Sequence, residues 1–165
     1  MKGIFMVGVS GSGKTTWVKS HKEYVACSTD SVIEQLAEIM GISYTEAFDY
    51  IQNKKKFDYI TAKFFEKIHD CILNDKDFVI DRTHLKRNIR ISLINELKSF
   101  ALEHGKNLEL TAVSFELPKN TIFARLKNRE KKTGKSIPKE VILEQINSFD
   151  IPTLDEGFAA IERIT

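Results

Sequence analysis

The sequence predicts an α/β domain in which a mostly parallel sheet is covered by helices on both faces. Three observations lead there. Short strand-like runs alternate with helical stretches along the chain. The runs at residues 3–7 and 78–80 are apolar throughout, as strands buried on both faces are. Two of the runs end in a carboxylate, Asp30 or Asp81, and a third ends in a glycine-rich turn.

Taken in order, residues 3–7 form the first strand and residues 15–21 the first helix. Residues 24–28 form the second strand. Asp30 or Ser31 then suits the N-cap of a helix over 32–40 that Gly41 stops. A helix restarts at Ser43 and runs to about Gln52. Phe57, Ile60, Phe64, Ile68 and Cys71 follow at three- and four-residue steps, the stripe of a long core-facing helix. Residues 78–81 give the third strand, 87–104 a helix ended by Gly105, and 108–116 the fourth strand. Residues 120–130 are helical, 131–136 form a polar basic loop, Pro138 opens another helix, and 158–164 form the last strand.

The 165 residues suit one domain spanning 1–165, with 42% apolar and 29% charged residues. A net charge of +2 implies no overwhelming field for nucleic acid, so any basic surface is local. Cys27 and Cys71 lack metal-ligand spacing and read as reduced core residues. No apolar run reaches the length of about 18 residues that a membrane span needs, and the first strand leaves no room for a signal peptide. The expected setting is cytoplasmic, without a membrane partner.

Between first strand and first helix lies Gly8-Val9-Ser10-Gly11-Ser12-Gly13-Lys14-Thr15, a complete G-x-x-x-x-G-K-[ST] phosphate-binding loop. Its glycines let the backbone approach an oligophosphate, whose oxygens then meet successive N–H groups and a helix N-terminus. Residues 8–16, through Thr16, are the expected nucleotide cradle for ATP or GTP. Lys14 is placed to reach the β- and γ-phosphates, and the Thr15 hydroxyl to join Mg²⁺.

In an open α/β sheet, ligands sit beyond the carboxyl ends of the strands. The third strand delivers Asp81 there as a second candidate for Mg²⁺, with helix capping as its structural alternative. The second strand delivers Asp30. A carboxylate near an alcohol acceptor could position the hydroxyl and take its proton, and capping is compatible with that role. Arg125 and Arg129 stand four residues apart on one helix face, where two guanidiniums can clamp transferring phosphates. With the Gly-containing loop that follows, residues 125–138 read as a lid that excludes water. Lys54-Lys55-Lys56, and Lys86-Arg87 with Arg90, are further basic clusters that could track a polynucleotide backbone. His84 suits either a polar surface position or a ligand contact.

These segments resemble the kinase module of 5′-hydroxyl polynucleotide kinases, among the small P-loop kinases. In residues 8–17 the aromatic Trp17 directly follows Lys14-Thr15-Thr16. Ser28-Thr29-Asp30-Ser31 is similar to the family's Asn-Arg-Asp stretch, whose Asp is the general base. Val79-Ile80-Asp81-Arg82-Thr83-His84 is similar to an Ile-Asp-Asn-Thr-Asn pattern. Arg125-Leu126-Lys127-Asn128-Arg129 leads through Ile137-Pro138 to Phe149-Asp150-Ile151-Pro152-Thr153-Leu154-Asp155-Glu156-Gly157-Phe158, the most specific match. Lys54-Lys55-Lys56 also resembles a stretch in phage enzymes.

The resemblance implies Mg²⁺-dependent transfer of the ATP γ-phosphate to the 5′-hydroxyl of DNA or RNA. Asp30 would be the base, Lys14 and Thr15 the phosphate and metal grip, and Arg129 the lid arginine assisted by Arg125. The departures fall on the acceptor side: Ile33 replaces an arginine that grips the acceptor's phosphate, Ser28-Thr29 replaces Asn-Arg, and Arg82 and His84 replace asparagines. A nucleoside or small-molecule kinase with the same ATP half is the nearest alternative. An ATP-hydrolysing switch or motor is a more distant one, because the chain is short for an AAA-type ATPase with its helical subdomain. A nucleic-acid-binding module with a vestigial loop would not need Lys14, Thr15 and Asp81 all intact.

Overall fold

Five parallel strands lie in the order β2-β3-β1-β4-β5. The computed structural model describes residues 1–133 and 136–165. In chain order the elements are β1 (Lys2–Val7), α1 (Lys14–Ser20), β2 (Val25–Cys27), α2 (Thr29–Met40), α3 (Tyr44–Asn53) and α4 (Phe57–Leu73). They continue as β3 (Phe78–Ile80), α5 (Arg87–Glu103), β4 (Glu109–Phe115), α6 (Lys119–Thr133), α7 (Lys139–Asn147), a 3₁₀ turn (Leu154–Glu156) and β5 (Ala160–Ile164).

Alternation within the central strands sorts side chains onto two faces. Ile4, Met6, Val79, Val113 and Phe115 meet Trp17 and Val18 of α1. Phe5, Val7, Phe78, Ile80, Leu110 and Ala112 meet α4 and α5 through Phe64, Ile68, Ile72, Leu93, Ile94 and Leu97. The connection from β1 leaves toward β2 with α1 on one face, and that from β3 leaves toward β4 with α5 on the other. Neighbouring strands β1 and β3 thus send their loops to opposite faces, which opens a crevice between them at the carboxyl end of the sheet.

Several boundaries differ from expectation for identifiable reasons. Helix α2 begins at Thr29, and its N-cap is Ser28, whose Oγ accepts the Ser31 N–H at 3.0 Å. Neither Asp30 nor Ser31 caps it. Helix α6 takes in Lys131 and Lys132, so the expected basic loop is partly helical. Gly134 and Lys135 of the expected lid lie outside the described residues. Phe57 is 43% exposed at the first position of α4, so the apolar stripe starts at Ile60.

A second, smaller core joins α2, α3 and α4 through Val32, Ile33, Ala37, Ala47, Ile51 and Ile60. Gly41, with φ 66°, takes the left-handed conformation that turns the chain back from α2 to α3. Lys54, Lys55 and Lys56 form the turn from α3 to α4, with Lys55 at φ 52°. Lys54 sits at the C-terminal end of α3, where a cation suits the helix dipole, and this offsets the misfit of Lys56 at the start of α4.

Candidate nucleotide and acceptor site

The loop after β1 is shaped by its glycines. Gly8, Gly11 and Gly13 have φ of 155°, 81° and 109°. A Cβ on Gly11 would lie 2.7 Å from Leu126 Cδ2, and one on Gly13 would lie 3.0 Å from Arg125 Nη1. Helix α6 therefore rests directly on the loop. Arg125 Nη1 donates to the Ser12 carbonyl at 2.6 Å. From α7, Gln145 Oε1 accepts the Ser10 N–H at 2.8 Å.

The N–H groups of Gly11, Gly13, Lys14, Thr15 and Thr16 have no partner among the described residues, while Trp17 begins the helical ladder by donating to Gly13. Free donors along a left-handed turn and a first helical turn are what an oligophosphate requires. The loop of residues 8–16 fits such a ligand.

Lys14 is buried, and its ammonium donates to the Val9 carbonyl at 2.8 Å. Burial lowers its pKa to about 8, against the attraction of Asp81 and with help from the Arg129 charge. Arg129 thus bears on the loop together with Arg125, one turn apart on α6. The Thr15 hydroxyl donates to Asp81 Oδ2 at 3.0 Å, so the two expected metal ligands meet across the β1–β3 crevice. Burial holds the Asp81 carboxyl above its usual range, opposed by the Thr15 hydrogen bond and by Lys14, and the Asp30 charge pushes it further up. An oxygen pair of this kind, backed by a lysine, fits a hard divalent cation that also takes ligands from phosphate and water.

Asp30 is the second residue of α2, exposed, and accepts a hydrogen bond from the Tyr44 hydroxyl at 3.1 Å. Its charge is felt by Asp81, Arg82 and Tyr44. Arg82 lies over the Phe64 ring, 5.2 Å from its centroid, with no hydrogen bond or ion pair among the described residues. Burial lowers its pKa, and the Asp30 charge opposes that. It borders a cavity of about 400 Å³ with Thr83, His84, Lys86 and Ser92. Ile33, at the position of the missing arginine, is buried in the small helical core.

Two expectations need correcting. Arg90 does not face a polynucleotide: it is fully buried and grips Glu156 through Nε and Nη2, both at 2.6 Å. Its Nη1 donates to the carbonyls of His84, Leu85 and Asp150. Arg87 is likewise engaged, with Asp155 at 2.7 Å and the Thr153 hydroxyl at 2.6 Å. The segment 149–158 is thus a strap that ties the loop after β3 to β5. His84 is not at the surface. It is buried at φ 44°, with Nδ1 3.0 Å from the Met6 carbonyl, to which it must donate. Nε2 is then a buried lone pair without a hydrogen-bond partner among the described residues.

Tyr44 and Gln145 went unnoticed in the sequence. Gln145 meets the loop from 135 residues away, and no local pattern marks either contact.

The model of the AAA domain family matches residues 4–152, nearly the whole chain. The chain belongs to the AAA domain family. No curated protein sequence matches this member of the family. Solved structures do, at identities that speak to fold alone. A candidate kinase from Chloroflexus aurantiacus superposes with a TM-score of 0.69 at 13% identity, covering 99% of this chain and 84% of the other. A fungal RNA kinase gives 0.58 at 17%, covering 99% and 74%. A chain of the Streptococcus pneumoniae PezAT toxin–antitoxin system gives 0.55 at 16%, covering 98% and 65%. This AAA domain has the P-loop kinase fold.

Proposed function

We propose that the protein is an ATP-dependent kinase that transfers the γ-phosphate to the 5′-hydroxyl of a polynucleotide. What carries this reading is that the Asp30 charge is felt at Asp81, whose carboxylate accepts from Thr15 in the loop that holds Lys14. The loop N–H groups and Lys14 would hold the triphosphate, and Thr15 with Asp81 would hold Mg²⁺. When bound, the metal neutralises charge on the β- and γ-phosphates. Asp30 accepts the proton of the attacking hydroxyl as its oxygen bonds to the γ-phosphorus and the bond to the bridging oxygen of ADP breaks. Arg125 and Arg129 offset charge on the transferring group, and residues 125–138 act as the lid.

Arg82 favours a polynucleotide over a nucleoside or sugar. An exposed guanidinium with no hydrogen bond or ion pair among the described residues, whose charge interacts with the Asp30 carboxylate, is a ready site for a phosphate on the acceptor. The fold shared with a fungal RNA kinase is in keeping with this.

The test is transfer of labelled γ-phosphate from ATP to a 5′-hydroxyl oligonucleotide, with nucleosides, sugars and a no-acceptor control alongside. Label on the oligonucleotide, reduced about 10- to 100-fold by Arg82→Ala with ATP affinity kept, supports the reading. Label only on nucleosides or sugars replaces it with the small-molecule reading. Release of inorganic phosphate alone replaces it with ATP hydrolysis.

A further inference from the structure

We propose that Tyr44 is a positioning residue for Asp30: its phenol holds one carboxylate oxygen so that the other faces the incoming hydroxyl. This rests on the kinase reading above. Asp30 is exposed on the first turn of α2, and because Ser28 does the capping no backbone N–H claims its side chain. A short exposed carboxylate of this kind samples several rotamers unless something holds it. The Tyr44 hydroxyl supplies the hold, donating to Oδ1 at 3.1 Å. Oδ2 has no partner among the described residues and is the oxygen left for an acceptor.

The phenol is itself well braced. Tyr44 is the first residue of α3, whose start is set by a reciprocal capping box between Ser43 and Glu46. Its ring stacks on Phe48 with centroids 6.4 Å apart, and Phe48 meets Phe57 edge-on at 6.0 Å. Beneath it, Ile33, Ala47, Ile51 and Ile60 pack α3 against α2 and α4. Groups from three elements therefore bear on Asp30 and its clamp: Tyr44 from α3, Glu34 from α2, and Asp81 with Arg82 from the loop after β3. Burial and the nearby Asp30 carboxylate push the phenol's pKa up, so it stays a donor wherever the protein is folded. The plain alternative is a fastening of α3 onto α2 with no part in the reaction.

The experiment compares the full chain as wild type, Tyr44→Phe, Asp30→Asn and the double variant in single-turnover transfer to a 5′-hydroxyl oligonucleotide. Tyr44→Phe keeps the ring on Phe48 and removes the hydrogen bond to Asp30. It is expected to lower the transfer rate about tenfold with ATP affinity within about twofold, the size of one hydrogen bond to a charged group. Added to Asp30→Asn, it is expected to cost nothing further. An equal loss in both backgrounds, or no loss in either, overturns the proposal. If the wild type labels no acceptor, the kinase reading fails by itself. The Tyr44–Asp30 contact is then read from urea midpoints of Tyr44→Phe, Asp30→Ala and their combination: less-than-additive losses leave it as the fastening of α3 onto α2, and additive losses overturn the contact as well.

Discussion

Gly11 shows how closely single positions are set at this site. Its φ of 81° strains any side chain, and a Cβ there would press on Leu126 of α6. Gly11→Ala is expected to cost about 1–2 kcal/mol and to weaken ATP binding. Adding Leu126→Ala relieves the crowding while leaving the backbone strain, so recovery should be partial. Isothermal titration with ATP reads both, and full recovery would mean that crowding alone accounts for the glycine. His84 carries a pH dependence. Its bare Nε2 lies in a buried setting near Arg82, Arg90 and Lys14, and burial foremost lowers its pKa to about 4 from an ordinary 6.5. The unfolded chain therefore takes up a proton on this ring below pH 6.5 that the folded chain refuses until about pH 4. Stability present above pH 6.5 should fall as the pH drops through that window, by roughly 3 kcal/mol. Urea midpoints of wild type and His84→Gln across the window check it: the variant should show the shallower decline, and parallel curves would count against the assignment.

At the scale of elements, the strap at residues 149–158 has the plainest physical content. Glu156 and Arg90 are both fully buried and joined by two charge-assisted hydrogen bonds, and the remaining Arg90 nitrogen bonds three carbonyls. Removing one partner strands the other charge in the core. Glu156→Ala is thus expected to destabilise the protein by about 3–5 kcal/mol in urea unfolding, far more than Asp155→Ala, whose carboxylate is 71% exposed. Similar losses for the two would contradict the strap's role. This element also marks where sequence reading ran out. Periodicity placed all five strands and seven helices to within a few residues, because apolar strands and amphipathic helices are local patterns. The phosphate loop was legible for the same reason. The partners of Arg90 were not, since a cation in a basic run reads alike whether it faces solvent or a carboxylate 66 residues away. The N-cap of α2 was misplaced by two or three residues because Ser28, Asp30 and Ser31 are all competent caps, and only the helix register decides among them.

Considered whole, the molecule puts its chemistry where the strand order changes direction. β1 and β3 are neighbours whose loops leave toward opposite faces, and this juxtaposes Thr15 with Asp81. The two satellite units then close on that crevice from different sides. Helices α6 and α7 bring Arg125, Arg129 and Gln145 to the phosphate-loop side, the proposed nucleotide side, while the α2–α3–α4 core carries Asp30 and Tyr44 on the proposed acceptor side. This separation predicts that substitutions on one side leave the affinity of the other intact. The most direct measurement compares Asp30→Asn with wild type for ATP binding by titration and for phosphate transfer to a 5′-hydroxyl oligonucleotide. The account predicts unchanged ATP affinity with transfer reduced by about 10²- to 10⁴-fold. Transfer at the wild-type rate, or loss of ATP binding in step with transfer, would contradict it.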